Sequence, residues 1–539
     1  MGGLAAIGLL LLSPAAPLPA PVVPPNSSVN RDQALNFAGT VVQLAYHVSE
    51  QYIRPPEIKD LLEASLRGLY EEAGTACPEE VLQTIRRAHS HTEFTEALAE
   101  ARMALGNSVS LRGPRALCAA VNGFRYATDP HTILVTPRIT TFVSVEMDFG
   151  IGMELEGVSG PRWTLYQVEL GYATGRFSSD PAIGSVEKPL PPLSFPWRVR
   201  RVIPGSPCQM AGMKPGDVVT HMDGKAITAE NSLDLFRNLR TSAIDVEPVS
   251  EQVKPVTRRF TVRREGHAEP IRLTVKGEPY LPETVFGVRR ISQESWDHML
   301  DRQNRIGYIR VGFIENSTDA KVSETLADLT QKDCKALILD LRWCPGGFVD
   351  PSCRLAGLFL DEGALITRMA ERTNARGVSP DMKAFTPAGW TKFPDRPLVV
   401  LVGPETSGGG EMIASALQDH QRAIILGQRT LGKGNVQRTF PSPIGDLQLK
   451  ISTGFSLRPN GKNRHRFPDS KPTDDWGVRP DVGFEVSVTT DVMSRLRTAA
   501  DLHALRPFGD RKALEFDDPG RDPHRLMALK TLQRKLKAE

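Results

Sequence analysis

The chain has 539 residues, 40% apolar and 24% charged, with 66 Lys+Arg against 63 Asp+Glu, 42 Pro, 45 Gly and six Cys. That length exceeds one compact core, so about three domains are expected, and the balance of residue types excludes collagen-like, coiled-coil, disordered and multi-span membrane classes. A net charge of +3 gives no electrostatic footing for nucleic acid as a partner.

No charged residue precedes Arg31, and Leu4 to Leu12 is an apolar run followed by Pro and small residues up to Pro25. The run falls far short of the ~20 residues that cross a bilayer. It has the length of a signal-peptide apolar region, with Leu18-Pro19-Ala20 as a cleavage site, although the basic leader is missing. A signal peptide over 1–20 is expected, and with it export to the periplasm or cell envelope; membrane proximity is left open. The cysteines (77, 118, 208, 334, 344 and 353) form no C-x-x-C pair, so zinc-ribbon spacing is absent. Cys344 and Cys353 either pair across a loop or stay as buried thiols.

Residues 30–140 read mostly as helices. Leu61, Leu62, Leu66 and Leu69 recur at helical spacing, as do Val81, Leu82 and Ile85. Residues 142–278 switch to short β-runs broken by Gly and Pro, with a loop-rich insertion at 160–197. From 285 to 490 strand and helix alternate: 306–311, 336–341, 398–402 and 424–426 are apolar runs of buried-strand type. Met412, Ile413, Ala416 and Leu417 share one helical face between the last two. Residues 491–539 are mixed in charge and read as a helical tail. The fold class is therefore multidomain α/β plus β.

Phe149-Gly150-Ile151-Gly152-Met153 opens a β-run, and Val202-Ile203-Pro204-Gly205-Ser206-Pro207 and Ala211-Gly212-Met213-Lys214-Pro215-Gly216-Asp217-Val218 follow. These residues resemble a PDZ domain. A Gly-rich loop exposes successive N–H groups to a C-terminal carboxylate, and the next strand pairs with an extended peptide. Gly150 and Gly152 allow that loop, and Ile151 and Met153 are expected to line the pocket for the terminal side chain.

Asp340-Leu341-Arg342-Trp343-Cys344-Pro345-Gly346-Gly347 follows a buried strand. Then come Glu405-Thr406-Ser407-Gly408-Gly409-Gly410-Glu411-Met412, the run Gly427 to Gln437, Arg458-Pro459-Asn460-Gly461 and Gly477-Val478-Arg479-Pro480-Asp481. With Asp129-Pro130-His131-Thr132 ahead of the PDZ-like stretch, this order resembles the tail-specific, or carboxyl-terminal-processing, serine protease family. The resemblance implies an α/β core of the ClpP/crotonase type. It also implies a serine nucleophile at a strand-to-helix junction, a lysine base and a glutamine four residues later; Lys433 and Gln437 match the last two. The partner implied is a polypeptide with a free C-terminus, and no cofactor or metal is required. The lysine must lose its proton near neutral pH, a fall from ~10.4 towards ~7–8.

The sequence departs from that pattern at one place. The family's nucleophile stands three residues before the helix glutamate and twenty-five before the lysine, and counts back from Glu411 and from Lys433 both end on Gly408. Ser407 is adjacent, but one step turns a helical side chain by about 100° and flips a strand's face. Two readings stay open. In one, the glycine run lets Ser407 present its hydroxyl to Lys433, with the N–H of Gly408 and one from Gly346 or Gly347 as the oxyanion hole. In the other, Ser407 or Thr406 caps the helix and the protein holds peptide tails without cutting.

Other chemistry is thin. Gly427 to Lys433 fits G-x-x-x-x-G-K, but Gly434 stands where Ser/Thr is needed and the following residues read as a strand, so nucleotide binding is rejected. His89 and His91 point to different helix faces, and Asp419 is taken as structural.

Overall fold

The computed structural model describes residues 28–112, 115–129, 131–135, 148–150, 152–155, 196–228, 231–232, 235, 256–280, 283–292, 295–371, 381–443, 448–467, 470–506, 508 and 515–538. The expected signal peptide, Ile151 and the 160–197 insertion up to residue 195 lie outside the described residues.

Five helices open the chain: α1 (Arg31–Gln51), α2 (Ile58–Glu72), α3 (Glu79–Arg87), α4 (His91–Leu105) and α5 (Arg115–Gly123). Asn30 starts α1 with a capping box, its side chain accepting from Gln33 N–H while Gln33 reaches back to the Asn30 N–H. Leu61, Leu62, Leu66 and Leu69 of α2 are fully buried, as their spacing predicts. The helical stretch ends earlier than expected. Ile133–Val135 is a strand, β1, paired antiparallel with residues 448–450. Its reason is tertiary: Ile133 and Leu134 share one core with the helices and with Leu449 and Ile451. The helical region is thereby packed onto a sheet formed by the C-terminal half.

A second unit is a sheet of β2 (Asp148–Gly150), β3 (Met153–Leu155), β4 (Trp197–Val202), β5 (Val218–Met222), β6 (Lys225–Ala226), β7 (Val256–Arg263) and β8 (Ile271–Tyr280), in the order β2-β8-β7-β5-β4-β3 with β6 on β5. Trp197, Val199, Val202, Val219, Phe260, Val262 and Val275 fill its core. The short helix α6 (Pro207–Met210) begins at Ser206, whose side chain accepts from Gln209 N–H.

The third unit carries β9 (Val285–Phe286), β10 (Arg289–Arg290), β11 (Trp296–Asp297), β12 (Met299–Asp301), β13 (Ile306–Val311), α7 (Thr318–Gln331), β14 (Ala336–Asp340), α8 (Val349–Gly357), β15 (Leu365–Glu371), β16 (Asp381–Phe385), β17 (Leu398–Val402), α9 (Gly409–Asp419), β18 (Ile424–Gly427), β19 (Asn435–Pro441), β20 (Gln448–Leu457), α10 (Thr490–Ala504) and α11 (Pro523–Ala538). Strands β13-β14-β17-β18 are parallel neighbours in that order. Their continuous apolar runs follow from cover on both faces. Ile309, Leu337, Leu339, Val400 and Ile425 pack with Val322 and Leu326 of α7, Leu355 of α8 and Ile413 and Leu417 of α9. The alternate residues Tyr308, Ile338, Val399 and Leu401 meet Met493 and Leu496 of α10 and Ala528 and Leu532 of α11. A second sheet runs β1-β20-β15-β16 with β19 on β20. All six cysteines are free thiols, five of them buried, so Cys344 and Cys353 are not paired.

Candidate active site at the entrance of a buried helix

The candidate site lies where β14 and β17 deliver their C-terminal ends, the place where open α/β sheets collect chemistry. Two loops meet there. After β14, Arg342 turns back into the core and its guanidinium bonds Asp340 at 2.7 Å and Asp522 at 2.8 Å, all three buried. Burial pushes the Asp340 carboxyl up, and the Arg342 charge with bonds from Arg342 and Tyr308 more than reverses it, so the group ends below its usual value. This clamp fixes the root of the Cys344-Pro345-Gly346-Gly347 loop. Gly346 and Gly347 have φ of 90° and 154°. A Cβ on Gly346 would stand 2.4 Å from the Gly409 nitrogen, and one on Gly347 1.8 Å from the Ile314 carbonyl. Only glycine permits that approach.

The second loop, Gly403 to Gly408, feeds α9. Thr406 is locked: its hydroxyl donates to Leu341 O at 2.8 Å and accepts from Gly403 N–H at 3.0 Å. Ser407, 5% exposed, donates its hydroxyl to Pro345 O at 2.8 Å and its N–H to Cys344 O at 3.0 Å. Neither residue caps the helix, which corrects the capping expectation. The N-cap is Gly408, and the acceptor for its N–H is the Glu411 carboxylate one turn on, at 3.1 Å. Gly408 has φ 53° and ψ −115°. That region costs a side-chain-bearing residue about 1–3 kcal/mol and is frequent at functional turns. It is the sharp, strained strand-to-helix bend on which α/β hydrolases mount a nucleophile. Position 408 has the bend and no side chain.

Glu411 organises the rest. Its Oε1 accepts from the Thr430 hydroxyl at 2.5 Å and Gly432 N–H at 2.7 Å, and its Oε2 accepts from Lys433 N–H at 2.7 Å as well as from Gly408. One oxygen therefore joins the helix entrance to the lysine segment. Burial raises the Glu411 carboxyl despite these bonds. From sequence it served only as a counting landmark; four backbone or hydroxyl donors converging on it depend on tertiary folding.

Burial lowers the Lys433 amine to about 7, with repulsion from Lys450 adding to the fall and Asp129 and Glu411 opposing it. Part of the Lys433 surface stays exposed. Around it gather Lys450 and His465, which no local motif announced, and Asp129 and His131 of the motif ahead of the PDZ-like stretch. Burial lowers Lys450, and it lowers His465 to about 4. Burial and the nearby Lys433 push His131 well down. Asp129 accepts from Tyr52 OH at 3.2 Å and from His131 N–H at 2.8 Å. Gln437 donates its side-chain amide to His131 O at 2.8 Å. The Asp129-to-Thr132 segment is thus brought to the lysine, 300 residues away in sequence, by the pairing of β1 with β20. Asp419 bonds Arg458 and Asn460, a structural role as expected.

Of the residues expected to line the peptide pocket, Gly150 ends β2 opposite Glu278, and Gly152 has φ 74°. The Gly152 carbonyl accepts from Ile203 N–H at 2.8 Å and from the Ser206 hydroxyl at 3.3 Å. Met153 is 1% exposed and belongs to the sheet's own core. Ile151 lies outside the described residues. Among the described residues no cluster of His, Cys, Asp and Glu suits a metal ion, and no helix is long and apolar enough to cross a membrane.

The sequence matches the profile of peptidase family S41 over residues 305–483. It is 28% identical over 287 residues to the carboxy-terminal processing protease CtpA of Bacillus subtilis strain 168, covering 53% of this chain and 52% of that one. It is 25% identical over 281 residues to a probable CtpA-like serine protease of Staphylococcus aureus strain N315, covering 52% and 48%. The chain spans about half the length of these curated relatives. Among solved structures, a photosystem II D1 C-terminal processing protease aligns at a TM-score of 0.39 and 17% identity over 85% of this chain and 95% of that one. Residues 305–483 are therefore similar in sequence to peptidase family S41.

Proposed function

We propose that the chain hydrolyses polypeptides at the α9 entrance with Lys433 as general base. The observation that carries this is the Lys433 amine, held at about 7 by burial and by its like-charged neighbour Lys450. A solvated lysine stays near 10.4, and such a lowered value is what a base working at neutral pH requires. The N–H groups of Gly346 and Gly347 supply the oxyanion hole: among the described residues neither is spent on another backbone carbonyl. The N–H of Gly408 is already given to Glu411 and makes a poorer donor for that task. In the Ser/Lys scheme Ser407 exchanges its bond to Pro345 for one to the amine, attacks and forms an acyl-enzyme. Gln437, tied to His131, steadies the strand β19 that follows the lysine.

The sheet of residues 148–280 acts upstream as a PDZ-type module, catching an extended segment with a free C-terminus. The protein is exported, acts on polypeptide and needs no cofactor. The test is incubation of the pure protein with an unfolded, apolar-tailed polypeptide. Parent cleavage that Lys433→Ala abolishes supports the reading, and a parent that leaves the substrate intact at every pH from 6 to 9 refutes it.

A second reading, holding tails without cutting them, is favoured by the absent side chain at Gly408 and by the commitment of the Ser407 hydroxyl to Pro345. It predicts tight binding without products, and cleavage gained in Gly408→Ser.

A further inference from the structure

We infer that His524, at the start of the C-terminal helix α11, is a positioning residue that joins the oxyanion loop to the lysine segment on the far side of the sheet. This deepens the hydrolase reading and rests on it, because the two pieces joined carry the N–H groups of Gly346 and Gly347 and the amine of Lys433.

Each ring nitrogen of His524 faces one half of the site. Nε2 stands 2.8 Å from Val486 O, and Nδ1 stands 3.3 Å from Arg342 Nη1. A carbonyl can only accept and a guanidinium can only donate. The ring is therefore neutral, with its proton on Nε2 and its lone pair on Nδ1 turned to Arg342. Burial and the Arg342 charge lower the proton affinity of His524, in keeping with that form. The ring is fully buried, so a bond lost there finds no water in its place.

From Nδ1 the link runs to the oxyanion loop. Arg342 Nη1 also donates to Asp522 Oδ1 at 2.8 Å, while Nε and Nη2 donate to Asp340 at 3.0 and 2.7 Å. The guanidinium lies 4.3 Å from the centre of the Trp343 ring, and the Cys344 N–H donates to Leu341 O at 3.0 Å. The chain thus enters the turn to Gly347 from a fixed root. From Nε2 the link runs to the base. The Val486 N–H donates to Gly427 O at 2.8 Å, and the Gly427 N–H donates to Phe484 O at 3.1 Å. Gly427 ends β18 and opens the run to Lys433. The backbone of His524 is itself pinned, since Asp522 Oδ1 accepts its N–H at 3.1 Å and that of Arg525 at 3.2 Å. Glu411 joins the α9 entrance to the lysine segment; His524 joins the oxyanion loop to it.

Helix α11 covers the sheet face opposite α7, α8 and α9, with Ala528 and Leu532 against Tyr308, Ile338, Val399 and Leu401. His524 therefore acts through Arg342 and Val486 and touches no substrate. Its loss slows the chemical step and leaves binding in place. A shift of about 1 Å between reacting groups costs on the order of 10²-fold in rate.

The test uses the full chain and an unfolded, apolar-tailed polypeptide at pH 8. Steady-state hydrolysis is compared in the parent, His524→Phe, His524→Gln and His524→Asn. In parallel, histidine C2–H exchange is followed against pH by mass spectrometry on the parent peptide that contains His524. Expected in His524→Phe is a fall in kcat of about 10–100-fold with KM within about twofold. His524→Gln keeps a donor for Val486 and His524→Asn an acceptor for Arg342, so each should still lose about tenfold in kcat. Exchange in the parent should be slow, with a midpoint below 6.5. Parental kcat in any folded variant overturns the inference and leaves Lys433 as base. A raised KM with kcat unchanged overturns it as well. An exchange midpoint at or above 6.5 shows that the ring is not the buried neutral bridge and overturns it without any variant, so the matter is decided even if none of the three folds. A parent that cleaves nothing overturns the hydrolase reading and the inference together.

Discussion

Replacing Lys433 with methionine should make the protein more stable at acidic and neutral pH and change nothing at high pH. The folded-state amine titrates at about 7 and the unfolded one near 10.5. Between those values the unfolded chain binds the extra proton, so this group's contribution to stability climbs as pH rises from 7 to 10.5. Below pH 7 both states are charged and the whole penalty applies. At 1.36 kcal/mol per unit the shift is worth about 5 kcal/mol, and roughly 3 kcal/mol once partial exposure and relaxation are allowed for. Methionine fills a similar volume without a charge, so Lys433→Met removes the penalty together with the repulsion from Lys450. Urea denaturation at pH 6, 8 and 10 reads it, following the transition that contains α9 and β19. The parent curve should rise relative to the variant by about 3 kcal/mol across that range. Two curves that stay parallel would refute the claim that folding lowers the proton affinity of this amine.

Three further outcomes follow from the same geometry. Hydrolysis should rise about tenfold per pH unit on the acid side and level off with an apparent pKa of about 7, because only neutral Lys433 accepts a proton; a flat profile from pH 5 to 9 excludes it as base. Glu411→Gln keeps the volume but turns an amide NH₂ on two of the four donors that Glu411 now satisfies. It should cost about 2–4 kcal/mol in chemical denaturation, and a loss under 0.5 kcal/mol would mean the carboxylate is not organising the loop. Arg342→Met leaves Asp340 and Asp522 buried without their cation, so a loss of about 3–5 kcal/mol is expected; a drop below 1 kcal/mol in the same assay would show the clamp to be inert.

The parallel strands were readable because burial on both faces forces continuous apolar runs, as in Ile306–Val311 and Leu398–Val402. α9 was readable from the spacing of Met412, Ile413, Ala416 and Leu417, all buried on its inner face. β1 was not. Three residues carry no period that separates strand from helix, and the partner that makes Ile133–Val135 a strand lies more than 300 residues on. His465 and Lys450 escaped notice for the same reason, since each reaches Lys433 through sheet pairing and loop return.

By itself the sequence determined the α/β order, the likeness to carboxyl-terminal-processing proteases, and the fact that glycine fills the slot where counting places a hydroxyl. These are properties of residue type and spacing along one chain. Only the tertiary structure decided what that glycine does there. It fixed a left-handed bend at Gly408, gave the Ser407 hydroxyl to the Pro345 carbonyl, and gathered four donors on Glu411. It also lowered the Lys433 proton affinity by burying it beside Lys450. Backbone torsions, hydrogen-bond choice and desolvation all depend on which distant segments close around a residue, and no local pattern of letters encodes that enclosure.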